Sequence, residues 1–161
     1  MSYSTPSNVG LTHVIHTRGD YTITTDPTRL DVDAIYAYLS RSYWAHTRPR
    51  EILELTLRHS LNYGVYHSNE HGESQVGFAR IVTDYGVFAY LNDLYILEEH
   101  RWNDVGTWLM QTILDDPILK DVILFTLATS DAHDFYAAFG FTSPKKPQLL
   151  MERLRPRTQS A

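Results

Sequence analysis

One junction constrains the fold more than any other part of the chain: an apolar, strand-like run over residues 87–97 passes through a short polar turn into an amphipathic helix. The helix is indicated by Trp108, Leu109 and Ile113, which recur at helical spacing. A turn of this kind presents free backbone N–H groups at the positive end of the helix dipole. The pattern therefore predicts a strand followed by an anion-binding turn, most naturally for phosphate.

Length and composition are those of a globular protein. The 161 residues include no cysteine, 43% are hydrophobic and 20% charged, and no apolar run is long enough to cross a bilayer. The polar start has neither the basic nor the apolar region of a signal peptide. We expect a cytoplasmic protein with a single domain over residues 19–155, an N-terminal tail over 1–18 and a C-terminal tail over 156–161.

The charge pattern limits the partners. A net charge of -5, with basic residues scattered along the chain, argues against DNA or RNA and favours an amine or another cationic small molecule. His67 and His71 have the spacing of a metal pair, but they flank a turn and lack a third ligand, so we predict no metal site. We also predict no membrane partner, and the sequence leaves a homodimer open.

The predicted elements alternate between strands and helices without an internal repeat. Asp31 is the predicted N-cap of the first helix, and in the second helix Ile52, Leu55 and His59 should share one face. The predicted strands cover residues 21–25, 65–67, 76–82, 87–97, 122–128 and 149–154, and the other helices follow Asp104 and cover 131–139, where Gly140 should end the segment. Residues 65–67 and 76–82 should form a hairpin around the polar turn 68–74, and the polar pair at 92–93 should interrupt the strand 87–97, as at a bulge or a substrate-facing edge. The nearly all-apolar strand 122–128 should be buried on both faces. This order indicates a mixed α/β fold, a largely antiparallel sheet flanked by helices.

Two segments, together with this order of elements, resemble the Gcn5-related N-acetyltransferase (GNAT) superfamily. Residues 94–97, Leu-Tyr-Ile-Leu, with the turn 101–106, Arg-Trp-Asn-Asp-Val-Gly, are similar to the strand and the Arg/Gln-x-x-Gly-x-Gly/Ala turn of that family. Residues 131–141, Asp-Ala-His-Asp-Phe-Tyr-Ala-Ala-Phe-Gly-Phe, are similar to its Ala-x-x-Leu-Tyr-x-x-x-Gly-Phe helix. The resemblance implies the acyl-CoA N-acyltransferase (GNAT) fold.

The resemblance also implies acetyl-CoA as acyl donor. In that family the backbone of the strand, here at Leu94 and Ile96, holds the thioester carbonyl and the pantetheine arm, and the turn amides bind the diphosphate. Tyr136 would protonate the departing thiolate, which suits a reaction that expels a thiolate and builds an oxyanion. The other cofactor-binding positions implied are Arg101, Trp102, Asn103, Asp104, Val105, Gly106, Thr107, Thr129 and Phe135.

Asp104 departs from the family pattern, because it stands where the turn has its first glycine. At about 5 Å and an effective dielectric of about 20, its carboxylate would repel a unit negative charge by roughly 3 kcal/mol, or about a hundredfold in affinity. Its side chain could alternatively cap the helix and occupy the N–H groups that a ligand needs. Asn103, which tolerates positive φ, is then expected to supply the bend.

A second departure concerns the acceptor side. Several family enzymes carry a glutamate at the position of Asn92, where it orders or deprotonates the amine, and an amide cannot take up that proton. Asp93 is the nearest carboxylate, so we expect a water relay through Asp93 or Tyr90. Tyr43 and Trp44, between the first two helices, are expected to line the acceptor pocket, with a core position as the alternative.

The resemblance to the GNAT superfamily predicts an N-acetyltransferase that moves the acetyl group of acetyl-CoA to a primary amine, which we expect to be that of a small molecule, by direct attack in a ternary complex. The alternative is a protein of the same fold with impaired CoA binding, in which Asp104 closes the turn and the cleft serves as a ligand-binding or interaction module.

Overall fold

The computed structural model describes residues 12–155, which fall into two compact units, 12–128 and 129–155. The first unit contains a six-stranded sheet in the order β1 to β6, antiparallel except for the parallel pair β5 and β6. Its strands are β1 (Ile15–Arg18), β2 (Tyr21–Thr24), β3 (Leu61–Asn69), β4 (Gly72–Thr83), β5 (Phe88–Ile96) and β6 (Leu124–Thr126). Its helices are α1 (Val32–Leu39), α2 (Arg50–Arg58) and α3 (Val105–Leu114), and α4 (His133–Ala137) lies in the second unit. The mixed α/β prediction is confirmed.

Helix α1 begins where the sequence predicts. The Asp31 side chain accepts a hydrogen bond from the backbone N–H of Ala34 at 2.9 Å, which satisfies one of the orphan donors of the first turn. Its buried residues include Ile35 and Leu39, in a core cluster that also contains Phe78 from β4. The helix is thereby fixed on one face of the sheet.

The face of α2 that Ile52, Leu55 and His59 share is not the face that packs on the core. Ile52 and Leu55 are 46% and 44% exposed, and His59 is also exposed, whereas Leu53 and Leu57 are buried in the core cluster. Within this helix the apolar residues occupy positions 52, 53, 55 and 57, so its sequence is compatible with more than one buried face. The contact with the core cluster selects between them.

The predicted hairpin and the predicted irregularity in β5 are both confirmed. β3 and β4 pair from Leu61 to Asn69 around a tight turn. In the pair β4 and β5, Phe78 faces Tyr95 and Arg80 faces Asn92, so one residue of β4 lies opposite two of β5. This is a β-bulge, a distortion that re-aims side chains and often accompanies functional sites.

Three predictions at the ends of the fold differ from the structure. Ile15–Arg18, predicted as part of the N-terminal tail, pairs with β2. β6 is shorter than predicted and is not buried on both faces, since Leu124 is 53% exposed. The predicted last strand is wrong: Pro147–Leu149 form a single 3-10 turn, and residues 150–155 have no regular structure.

Residues 1–11 and 156–161 lie outside the described residues, so the remaining tail boundaries and the single-domain boundary stay predictions. No helix within residues 12–155 is long and apolar enough to cross a membrane.

Candidate active site

The predicted anion-binding turn leaves the first turn of α3 without a side-chain cap. After β5 the chain forms a 3-10 helix, Glu98–Asn103, and then Asp104 adopts the left-handed conformation with φ 56° and ψ 22°. The Asp104 side chain makes no capping hydrogen bond, so the predicted alternative in which it blocks the amides is wrong. Asp104 itself, rather than Asn103, supplies the bend. The orphan N–H groups of the first turn of α3 are therefore not consumed by a side-chain cap.

Arg101, predicted as a phosphate ligand, bonds to the end of β5 and to α1. Its Nε donates to the Ile96 carbonyl at 2.9 Å, and its guanidinium also donates to the Tyr38 hydroxyl at 3.0 Å and to Glu98 at 3.4 Å. The Tyr38 ring stacks on Tyr95 of β5, with centroids 3.7 Å apart. Arg101 thus closes the turn between β5 and α3 through contacts within the protein.

Arg18, which the sequence analysis did not consider, brings a positive charge to the same turn. Its guanidinium donates to the Asn103 carbonyl at 2.9 Å and lies over the Trp108 ring at 4.8 Å. The Asn103 amide in turn donates to the Tyr21 hydroxyl, which lies 2.8 Å from Nδ1 of His100. Two strands that precede α1 therefore support the turn from outside.

The remaining predicted positions of the turn are divided between surface and core. Trp102 is 91% exposed and Val105 is fully buried, while Gly106 and Thr107 are half-buried in the first turn of α3. Val105 anchors the helix start, and the neighbouring amides lie at the surface of the unit.

The edge of β5 that faces away from β4 is open near the turn. β6 pairs only with residues 88–90 of β5, so no strand within the described chain covers this edge from Leu91 to Ile96. The Leu97 N–H bonds to the Val76 carbonyl on β4, so the alternation of a strand directs the peptide groups of Ile96 to the opposite side. An added extended chain can hydrogen-bond to such an edge.

Asp93 lies in the β-bulge in a left-handed conformation, φ 53°, and is surrounded by cations. Arg48, from the segment between α1 and α2, binds both carboxylate oxygens at 2.7 and 3.1 Å, and Nε of Arg80 binds one at 2.8 Å. The Trp44 indole N–H donates to it at 3.2 Å. We refer to Arg48, Arg80 and Asp93 as the Asp93 cluster.

The electrostatics of this cluster keep Asp93 ionised. Burial alone would raise the pKa of its carboxyl, but the hydrogen bonds of Arg48 and the charges of Arg80 and Arg48 outweigh burial. The net result lowers the pKa of Asp93 below its ordinary value. A carboxylate with a lowered pKa and four donors is a poor proton acceptor, which argues against the predicted water relay through Asp93.

The other predicted acceptor residues surround this cluster. The Asn92 side chain accepts the Asp93 N–H at 2.9 Å and so supports the bulge. Tyr90 is half-buried where β5 and β6 are paired. Tyr43 and Trp44 are 54% and 38% exposed, with ring centroids 5.0 Å apart, so the alternative core position is wrong.

The second unit carries the three remaining predicted residues. Thr129 Oγ1 accepts the Ala132 N–H just before α4. On α4 the rings of Phe135 and Tyr136 are in contact at 5.1 Å, and Gly140 ends the segment with φ 86°, as predicted. Their roles toward a cofactor stay predictions.

The residues that sequence reasoning missed are arginines. Arg80 interrupts the apolar strand β4, and a single charge in an apolar run indicates a buried ion pair. That signal was present in the sequence, whereas its partner Arg48 could not be identified before the fold was known. Among the described residues, no group of three or more His, Cys, Asp or Glu side chains is arranged to hold a metal ion.

Comparison with known proteins decides the family. A model described as acetyltransferase (GNAT) domain matches residues 62–143, the segment that contains the hairpin, the bulge, the turn and α4. A candidate acetyltransferase of Gibberella zeae is 38% identical over 144 residues, 77% of this chain and 80% of that protein. The chain belongs to the GNAT family.

Solved structures agree with this membership. A candidate GNAT acetyltransferase from Xanthomonas campestris is 40% identical, with a TM-score of 0.78 over 84% of this chain and 94% of the other. A GNAT-family acetyltransferase from Streptococcus pneumoniae, 23% identical, has a TM-score of 0.60 over 87% and 99% of the two chains and supports the fold alone. As a GNAT protein the chain is an acyltransferase, and the family uses acetyl-CoA as donor.

Proposed function

We propose that this GNAT protein transfers the acetyl group of acetyl-CoA to a primary amine of a small molecule, by direct attack in a ternary complex. The observation that carries the proposal is the continuity of two open features: the uncovered edge of β5 ends at the turn, and the turn ends at a helix N-terminus without a side-chain cap. A ligand with an extended arm and a diphosphate matches that order.

The donor site fits acetyl-CoA, which supplies an activated acetyl thioester when bound. The first-turn amides of α3 suit a diphosphate, because free N–H groups and the helix dipole both favour anions. Arg18 adds a positive charge beside them through its contact with Asn103. Asp104 opposes binding by its charge without occupying the amides with its side chain.

Residues of this chain would then position and stabilise rather than supply a strong base. The N–H groups of Leu94 and Ile96 would hold the arm and the thioester carbonyl. Since Asp93 is held ionised by two arginines, an amine that arrives partly neutral suits the site better than one that must be deprotonated by a carboxylate. Tyr136, identified by the family motif, would donate the proton that the thiolate needs.

Calorimetric titration of the full chain with acetyl-CoA and with acetyl-pantetheine, which lacks the diphosphate, tests the donor site. We expect micromolar binding of acetyl-CoA and at least about a hundredfold weaker binding of acetyl-pantetheine, because the turn amides and Arg18 contact only the former. Absence of heat at millimolar acetyl-CoA would instead support the alternative function, in which Asp104 prevents CoA binding.

Turnover is tested separately by thiol release in the presence of primary amines. Tyr136→Phe should lower turnover while the dissociation constant for acetyl-CoA stays the same. An unchanged rate in that variant removes Tyr136 from the reaction without affecting the donor site.

A further inference from the structure

The Asp93 cluster carries more positive than negative charge. It contains two guanidinium groups and one carboxylate, and within residues 12–155 neither guanidinium has a second carboxylate within 4.0 Å. Its net charge is therefore +1 in a largely buried position. A buried excess charge is costly unless a counter-charge arrives from outside the protein.

Arg48 is the member of the cluster that solvent reaches. The side chain of Asp93 is fully buried and that of Arg80 is 5% exposed, whereas Arg48 is 15% exposed. Arg80 is also held by the Ser60 hydroxyl at 3.1 Å. An incoming anion would therefore meet Arg48. Its two terminal nitrogens each donate to Asp93, and a guanidinium has five N–H groups, so further donors remain for a carboxylate.

Aromatic rings lie beside this guanidinium. Trp44 shares the Asp93 carboxylate with Arg48, and Tyr43 contacts Trp44 edge to face. Both rings are partly exposed, so they can cover the apolar part of a bound molecule. A cation next to an aromatic wall selects for a ligand that combines a carboxylate with an apolar or aromatic body.

The location of the cluster connects it with acyl transfer. Asp93 precedes Leu94 in the bulge of β5, and Leu94 is the residue proposed to hold the thioester. The segment between α1 and α2, which provides Trp44 and Arg48, therefore packs against the bulge next to the place where the acceptor amine has to arrive.

We propose that the acceptor is an amine that also carries a carboxylate, of the class of aromatic or apolar amino acids, and that Arg48 binds this carboxylate beside the Trp44 and Tyr43 rings. The inference rests on the proposed function. In the reaction the amine nitrogen forms the new C–N bond, the thioester C–S bond breaks, and the proton lost from nitrogen ends on the thiolate sulfur. The local charge of the cluster outweighs the overall acidity of the chain, which alone would favour a purely cationic acceptor.

The test compares acceptors that differ only at the carboxylate. A panel of apolar and aromatic amino acids and aminobenzoates is assayed with acetyl-CoA, each beside its primary amide and its decarboxylated amine. We expect kcat/KM for the best carboxylate to exceed that of its amide and its amine by at least about tenfold, as expected for a charge-assisted hydrogen bond.

Variants at Arg48 identify the residue responsible. Arg48→Gln leaves Arg80 and Asp93 as a balanced pair and keeps a hydrogen-bond donor for the carboxylate, so the fold should be retained, which thermal unfolding checks. In this variant the acceptor KM should rise about tenfold or more and the preference for carboxylate over amide should disappear, while the acetyl-CoA KM is unchanged. Arg50→Gln is the matched control, because Arg50 is balanced by Asp33 and Glu54 and should leave both constants unchanged.

The possible outcomes separate the two proposals. Transfer to amides or simple amines as fast as to carboxylates overturns the acceptor class and leaves the acetyltransferase proposal intact. Binding of acetyl-CoA without transfer to any carboxylated amine of the panel also overturns the acceptor class. Failure to bind acetyl-CoA at all instead contradicts the proposed function. Carboxylate preference that persists in Arg48→Gln assigns the carboxylate to another residue and overturns the role of Arg48.

Discussion

Asp93 and Asp104 have nearly the same positive φ and opposite surroundings. Both are non-glycine residues with positive φ, 53° and 56°, one in the bulge of β5 and the other at the start of α3. Asp93 is buried and bound by two arginines and an indole, whereas Asp104 is exposed and makes no capping bond to its helix. A left-handed aspartate thus stabilises the fold in one region and leaves amides available for a ligand in the other. The partners of the carboxylate, rather than the positive φ, therefore decide whether such an aspartate stabilises the fold or leaves amides available.

The largest effect that we expect from this difference is a lower free energy of unfolding when Asp93 is replaced. Asp93→Asn removes the only carboxylate that neutralises Arg48 and Arg80 among the described residues, which leaves the buried Arg80 and the partly buried Arg48 without a counter-charge. We expect the free energy of unfolding to fall by about 3 to 5 kcal/mol at pH 7, measured by urea denaturation. Asp33→Asn is the control, since its ion pair with Arg50 is exposed, screened by solvent and should contribute little to stability.

The same variant has a defined pH dependence. Because the pKa of Asp93 is lowered in the folded state, its stabilisation is complete above the ordinary carboxyl pKa of about 3.9 and is lost as the pH falls through the lower folded-state value. The stability difference between wild type and Asp93→Asn should therefore stay constant from pH 7 to about pH 5 and shrink below about pH 4. A difference that changes near neutral pH would contradict the buried ion pair.

Asp104 should behave in the opposite way, with its effect on ligand binding rather than on stability. Asp104→Gly removes the repulsion and suits the left-handed conformation, so acetyl-CoA should bind more tightly, by roughly 3 kcal/mol or up to about a hundredfold. Asp104→Asn, which removes the charge but retains a residue that tolerates positive φ, should give a similar gain in the calorimetric dissociation constant. Unchanged affinity in both variants would show that the turn does not bind the donor.

A smaller effect is expected at Arg18, the cation beside that turn. Arg18→Gln should weaken acetyl-CoA binding about fivefold in the same titration, since one exposed charge near a phosphate contributes on the order of 1 kcal/mol. Arg29 offers a matched control, because it also stacks on a ring, that of Tyr66, but pairs with Glu73 instead of contacting the turn. Equal losses in Arg29→Gln would mean that overall charge, not position, is responsible.

The smallest effect concerns Asp31, which caps its helix as Asp104 does not. Asp31→Ala should lower the free energy of unfolding by about 1 kcal/mol through loss of the bond to the Ala34 N–H, without changing acetyl-CoA affinity. Asp104→Gly should show no comparable loss of a cap. If both variants lose the same stability in urea denaturation, the contrast between the two helix starts is wrong.

Local patterns were sufficient to predict three features of the fold. The strand 87–97, the cap at Asp31 and the end of the α4 segment at Gly140 depend on residues within a few positions of one another, and the structure confirms each. The conformation of Asp104 was missed because aspartate rarely adopts positive φ, and the sequence offered Asn103 as an alternative. The buried face of α2 could not be chosen from the sequence and the predicted last strand is wrong, because tertiary contacts decide between local patterns of similar quality.

The Asp93 cluster could not be predicted from the sequence, because it joins residues separated by 45 and 13 positions. Asp93 was identified as functional for its carboxylate, but its protonation behaviour depends on Arg48 and Arg80, which only the fold brings to it. The sequence thus located the irregularity in the strand but not the ion pairs that determine its charge. Arg80 within an apolar strand was the only local sign of a buried pair.

The bond from Arg101 to the Ile96 carbonyl has a consequence for the size of any molecule that lies along β5. That carbonyl is already bonded to the arginine, so a chain added to this edge meets a competing donor at the last residue of the strand. An extended ligand would meet the guanidinium of Arg101 there, before the 3-10 helix Glu98–Asn103 leads to the amides of α3. The arginine thus marks the end of the open strand edge, and the part of a ligand that pairs with β5 ends beside its positive charge.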